Sequence, residues 1–276
     1  MKDILYKNGK IYIKNAKNFD LAQTLDCGQA FRWSADEKGV WRGIAGGKFI
    51  EIYKDGEDIV IENSSKEDFE SFWADYFDLS RDYGAIIKEF GADETLKAAA
   101  EFAGGIRILR QEPWEALCSF IISQNNNIPR IKGIINRLCE NFGERCGNTY
   151  TFPYAEKLAA LSPDNLAVIR CGFRAKYIID AARRVAEGNI DLEALKSLSY
   201  DEAQKQLLKI KGVGPKVADC ALLYGCGHIE AFPKDVWIKR ALDEFFGGKI
   251  PDCALKNAGI AQQYIFYYIR ENAKHG

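Results

Sequence analysis

The turn Gly212-Val213-Gly214 constrains this chain more than any other feature. It lies within LLKIKGVGPKVADCALLYGCGHIEAFPKDVWIKR, residues 207–240. A short apolar helix end precedes it, and a helix carrying Lys216 and Cys220 follows. Glycine takes turn conformations that other residues resist, and it lets the backbone approach another surface closely. Two helices so joined leave backbone N–H groups pointing outward at the start of the second. With the helix dipole these groups make an anion site suited to a phosphate. Lys216 and Cys220, four apart, share one helical face. Farther on, Asp235 follows Pro233-Lys234 and precedes the amphipathic run Val236, Ile238, Leu242, Phe245, which predicts an N-cap at Asp235.

Bulk charge argues weakly against a nucleic-acid partner, because 38 Lys and Arg face 39 Asp and Glu. Its distribution argues for one. Residues 205–240 hold Lys205, Lys209, Lys211, Lys216, Lys234, Lys239 and Arg240 against Asp219, Glu230 and Asp235, whereas 57–78 is mostly acidic. A local basic face captures phosphate backbone with salt-sensitive affinity. The 276 residues, 47% hydrophobic, can bury a full core and are expected to form two domains, 1–112 and 113–276. No apolar run approaches a membrane span, MKDILYKNGK lacks a signal-peptide core, and the eight Cys form no CxxC pair. Reduced thiols in an intracellular compartment, cytoplasmic or nuclear, are therefore expected.

Up to about residue 62 the pattern is that of strands. Lys10–Lys14, Lys48–Tyr53 and Asp58–Glu62 alternate, with Gly46-Gly47 and Asp55-Gly56 as hairpin turns. Gly28, within DCGQAFRW (26–33), is out of place in a strand and marks a close backbone approach. From Ser65, a candidate N-cap, Phe69, Phe72, Trp73 and Phe77 follow a helical period. Helices are expected to continue to the C-terminus. The predicted fold class is α+β: an antiparallel sheet domain, then a mainly helical one. Between two strongly apolar helices lies Ser123-Gln124-Asn125-Asn126-Asn127-Ile128-Pro129-Arg130. Its plain reading is a polar helix–helix loop, but here it could thrust side chains at a ligand.

With these residues in view, the chain resembles the 8-oxoguanine DNA glycosylase/AP lyase family of the helix-hairpin-helix-Gly/Pro-Asp superfamily. CGQAFRW (27–33), SQNNNI (123–128), GVGPKVADC (212–220) and AGIAQQYIF (258–266) occur in the family's order across nearly the whole chain. The resemblance implies a bifunctional enzyme acting on duplex DNA that contains oxidised guanine, opposite cytosine, as a monomer without cofactor or catalytic metal. Lys216 would attack the sugar C1′, and an amine attacks only when unprotonated, so it needs a proton acceptor or a poorly solvated site. Asp235 would stabilise positive charge on the sugar as well as cap its helix. The Gly28 carbonyl would accept from the N7–H that distinguishes 8-oxoguanine from guanine. Gln262 would read the Watson–Crick edge, with Phe266 and Cys220 on the two base faces. Asn125 would fill the gap left by the flipped base, Arg130 and Arg174 would bond the orphan cytosine, and Phe173 would wedge beside it. Gly212 and Gly214 would face phosphate, and the carbonyls of Leu208, Ile210 and Val213 would hold a structural cation.

Each residue also has an ordinary reading: a solvated helical Lys, a cap, core aromatics, ion-paired Arg. Trp237 and Ile269 stand where relatives often place a phosphate-contacting His and its Asp partner, and Phe173 where Tyr is commoner. The four-cysteine iron–sulfur loop of some other glycosylases is absent, since only Cys253 follows Asp235. The competing readings are a monofunctional alkylbase glycosylase of the same fold and a non-catalytic DNA-binding hairpin module.

Overall fold

Alternating Ile residues build the N-terminal part. The computed structural model describes residues 3–273. Strands β1 (Ile4–Lys7), β2 (Lys10–Ile13), β3 (Trp33–Ala35), β4 (Trp41–Ala45), β5 (Lys48–Asp55) and β6 (Asp58–Glu62) form one antiparallel sheet in the order β1-β2-β6-β5-β4-β3. Ile11 lies opposite Ile61 and Ile13 opposite Ile59, all turned into the core. Gly46 and Gly47, both at positive φ, close the β4–β5 hairpin in the two-residue turn that suits strand twist. The expected strands at 10–14, 48–53 and 58–62 are present. Patterning did not reveal β1, mostly exposed at the sheet edge, or β3 and β4, where Gly43 interrupts the run.

Beneath the sheet an aromatic cluster forms the smaller core. Trp73 stacks on Phe77, and Trp33 donates from Nε1 to the Tyr76 hydroxyl at 3.0 Å. Burying each such ring stabilises the fold by roughly 1.5–3 kcal/mol. At the junction with the helical part, buried Arg107 lies 4.1 Å from the Tyr83 ring centroid. It donates to the carbonyls of Phe77 (2.9 Å) and Arg81 (3.1 Å), and also to that of Asp78. These acceptors offset the cost of hiding a guanidinium.

Among the described residues the α-helices of seven residues or more are α1 (Tyr83–Phe90), α2 (Glu94–Ala103), α3 (Pro113–Ser123), α4 (Ile128–Phe142), α5 (Ala175–Ala186), α6 (Tyr200–Leu207), α7 (Pro215–Ala221), α8 (Val236–Phe245) and α9 (Ala258–Asn272). They share the larger core, into which α1 and α2 pack along with α9. The caps expected at Ser65 and Asp235 are in place, and Asn127 proves to cap α4. Ser65 accepts from Asp68 N (3.0 Å), Asn127 from Arg130 N (3.0 Å) and Asp235 from Ile238 N (2.8 Å). The chain is thus α+β, a six-stranded antiparallel sheet followed by a mainly helical part.

All eight thiols are free. Burial pushes Cys27, Cys139 and Cys226 up to about 12 and raises Cys118 well above the usual thiol range. An unfolded chain releases these protons near pH 8.5 while the fold retains them, so stability must fall as pH rises above that value. We expect the melting temperature to drop by on the order of 10 °C between about pH 8.5 and 10.5, a slope that Cys139→Val and Cys226→Val should flatten. Thermal melts across that range check it.

Candidate active site

One cleft of about 680 Å³ runs between the hairpin, the α3–α4 loop and α9. Gly28, Asn125, Phe173, Gly212, Gly214, Lys216, Asp235, Trp237 and Phe266 all line it. These residues span most of the chain, so only the tertiary fold brings them to one surface.

At the hairpin, Gly212 holds φ +79°, and a Cβ there would lie 2.4 Å from the Tyr177 ring. Both the turn and the ring therefore demand glycine. Gly214 caps α7 in extended conformation with open space beside its Cα, and Pro215 opens the helix. The carbonyls of Leu208 and Val213 accept no backbone hydrogen bond among the described residues, while that of Ile210 accepts from Val213 N. No cluster of His, Cys, Asp or Glu able to hold a metal occurs among the described residues.

Lys216, on the first turn of α7, is half-buried, its Nζ 5.2 Å from the centroid of the Phe120 ring. Phe120 is itself packed on Tyr224 and Phe31, which makes an aromatic floor. One turn on, Cys220 is buried. Desolvation pushes its thiol up to about 11, against the pull of the neighbouring Lys216 ammonium, so the sulfur is neutral at physiological pH. The Asp235 carboxylate, fixed by its cap, raises that thiol further.

Opposite the hairpin, Gly28 takes φ +95°, with Phe266 Cε1 3.9 Å from where a Cβ would stand. Gln262 lies one turn before Phe266 on the same face of α9. It is buried, and its Oε1 has no hydrogen-bond partner among the described residues. A buried acceptor without a donor costs about 1–3 kcal/mol, which a ligand's N–H would recover.

The α3–α4 loop is held from below. Asn125 sits exposed at φ +47°, a strained conformation that Asn tolerates better than most residues. Arg174 is 2% exposed and donates to the carbonyls of Gln124 (2.9 Å), Asn125 (3.0 Å) and Cys171 (3.2 Å). Its guanidinium therefore shapes the loop, and contact with an orphan base would require these bonds to be exchanged. Arg130 is exposed and free to reach outward, and Phe173, half-exposed, stacks over the Arg174 guanidinium at 4.4 Å. Trp237 is half-exposed on the cleft wall, and Ile269 is partly buried in the helical core. Sequence reasoning missed Phe120, Tyr177 and Arg270, which lie against Lys216, Gly212 and Phe266, and Gln263, which bonds the Cys27 carbonyl beside Gly28.

Comparison with known proteins follows the same lines. The family model described as 8-oxoguanine DNA glycosylase, N-terminal domain, matches residues 11–117, and that of the HhH-GPD superfamily of base excision DNA repair proteins matches 118–252. The N-glycosylase/DNA lyase of Saccharomyces cerevisiae is 35% identical over 271 residues, covering 85% of this chain and 70% of that protein. A solved 8-oxoguanine glycosylase/lyase of Clostridium acetobutylicum, in complex with duplex DNA carrying cytosine opposite 8-oxoG, is 44% identical with a TM-score of 0.91, covering 99% of each chain. A structure of MBOgg1 with a low-affinity DNA ligand is 42% identical, TM-score 0.92, again over 99% of each chain. By its sheet-plus-hairpin architecture, its cleft and these matches, the chain belongs to the 8-oxoguanine DNA glycosylase family.

Proposed function

We propose that this protein is a DNA glycosylase and AP lyase of base excision repair that removes 8-oxoguanine from duplex DNA. The observation that carries the reading is the cleft itself: a lysine and a fixed carboxylate line it together with Phe266, and one helical turn before Phe266 lies a buried glutamine acceptor without a partner among the described residues. Backbone N–H groups at Gly212–Gly214 take phosphate, and any cation bound to the Leu208, Ile210 and Val213 carbonyls adds positive charge there. The extruded base enters between Phe266 and Cys220. Its N7–H donates to the Gly28 carbonyl, and its N1–H and amino group donate to Gln262 Oε1.

Lys216, having given up a proton to solvent, bonds through its amine to C1′ as the N-glycosidic bond breaks; that bond's electron pair leaves with the base, which takes up the proton that the new C–N bond sheds. Ionised Asp235 offsets the positive charge that develops on the sugar. Ring opening leaves a Schiff base, from which loss of a C2′ proton expels the 3′ phosphate. Cys220 contributes as a neutral wall, since burial pushes its thiol up to about 11. Arg130 reaches the orphan cytosine while Asn125 and Phe173 hold the gap open; Arg174 joins them once its loop contacts are exchanged. The protein acts as an intracellular monomer in the cytoplasm or nucleus, and no described helix is long and apolar enough to cross a membrane.

Borohydride trapping on duplexes with 8-oxoguanine opposite each of the four bases tests the reading. Covalent complexes should form fastest opposite cytosine, by about 10- to 100-fold if one Arg130 hydrogen-bond set discriminates. Equal trapping on undamaged guanine would overturn the substrate, and no preference among the four bases would overturn the role of Arg130.

A further inference from the structure

We propose that Arg270 is a positioning residue that sets the gap between the Gly28 carbonyl and the Phe266 ring, and with it the rate of lesion excision. The inference rests on the reading of the cleft given above. Arg270 lies near the end of α9, one turn past Phe266. Its Nη1 donates to the Cys27 carbonyl at 3.2 Å and its Nη2 to the Asp26 carbonyl at 3.3 Å. The same guanidinium lies 5.7 Å from the Phe266 ring centroid and 5.2 Å from that of Tyr267, and is paired with Glu271 at 3.0 Å. Its Nη1 is 3.8 Å from where a Cβ on residue 28 would stand. One side chain thus touches both walls of the proposed base slot.

The other contacts to this loop reach only one wall. Gln263 donates to the same Cys27 carbonyl at 3.3 Å, oriented by the Tyr224 hydroxyl. Lys132 holds the Asp26 carboxylate at 2.6 Å. On the far side of Gly28, buried Gln29 donates to the carbonyls of Thr24 (2.9 Å) and Arg107 (2.8 Å) and accepts from Leu109 N (2.9 Å). These bonds fix where the loop is anchored. Arg270 alone among them also contacts the ring, so it couples carbonyl position to ring position. A planar base stacked on Phe266 meets the Gly28 oxygen only if both are in register, and small misplacements of such groups are costly.

The test separates base capture from sugar chemistry. Arg270→Met keeps the stem and removes every donor; Arg270→Lys keeps one charge and shorter reach. Single-turnover excision of 8-oxoguanine should fall about 10- to 100-fold in Arg270→Met. Trapping at a preformed abasic site, which has no base to seat, should stay within about twofold. Arg270→Lys should recover part of the excision rate. Wild-type excision by Arg270→Met would overturn the inference. So would equal loss on both substrates, which would mark general damage to the fold. If the wild-type protein itself trapped abasic sites but left 8-oxoguanine in place, the reading of the cleft would fail and take this inference with it.

Discussion

Lys216→Gln is expected to abolish the borohydride cross-link to lesion DNA, to below roughly one thousandth of the wild-type yield. The glutamine keeps most of the stem over Phe120 but supplies no amine to bond C1′. Lys216 is half-buried on the first turn of α7, and no salt bridge to it is seen among the described residues. The exchange should therefore cost little stability, and the melting temperature should move by no more than a few degrees. Duplex affinity should largely persist, because the phosphate contacts that dominate it lie at the hairpin backbone and the other basic residues. Cross-linked species on a denaturing gel, read beside melts and binding, decide the matter. An undiminished cross-link would put the nucleophile elsewhere in the chain.

The second large effect is expected at Asp235, where two roles can be pulled apart. Asparagine caps a helix about as well as aspartate, so Asp235→Asn should keep the bond from Ile238 N and leave stability nearly unchanged. It removes the charge that faces the developing cation, and excision should fall about 10²- to 10³-fold. Asp235→Ala should lose the cap as well, about 1 kcal/mol, and melt about 2–4 °C lower. Activity of Asp235→Asn within threefold of wild type would reduce the residue to a helix cap.

Much of the site was legible because its parts are local. Gly212-Val213-Gly214 announces a turn, Asp235 and Ser65 announce caps, and alternating isoleucines announce β2, β5 and β6. Each is a statement about a few neighbouring backbone bonds. The motifs around Gly28, Asn125, Lys216 and Phe266 point to one chemistry through their resemblance to one family, and the fold brings those four to one cleft. Strand β1 escaped notice because its side chains are mostly exposed and its short run has no buried face to impose a period.

What the sequence determined by itself was therefore the set of turns, caps and periodic faces, each governed by side chains acting on their own stretch of backbone. Tertiary structure alone decided which polar groups pair across the chain. Arg174, expected to face a base, is buried under the loop it supports, with acceptors about 50 residues away in sequence. Arg270 finds its acceptors 243 and 244 positions away. In both cases the partner is a backbone carbonyl, which every residue carries, so no pattern of side chains marks it in advance. Only the packing of α9 against the 26–29 loop, and of α5 beneath the α3–α4 loop, singles those carbonyls out.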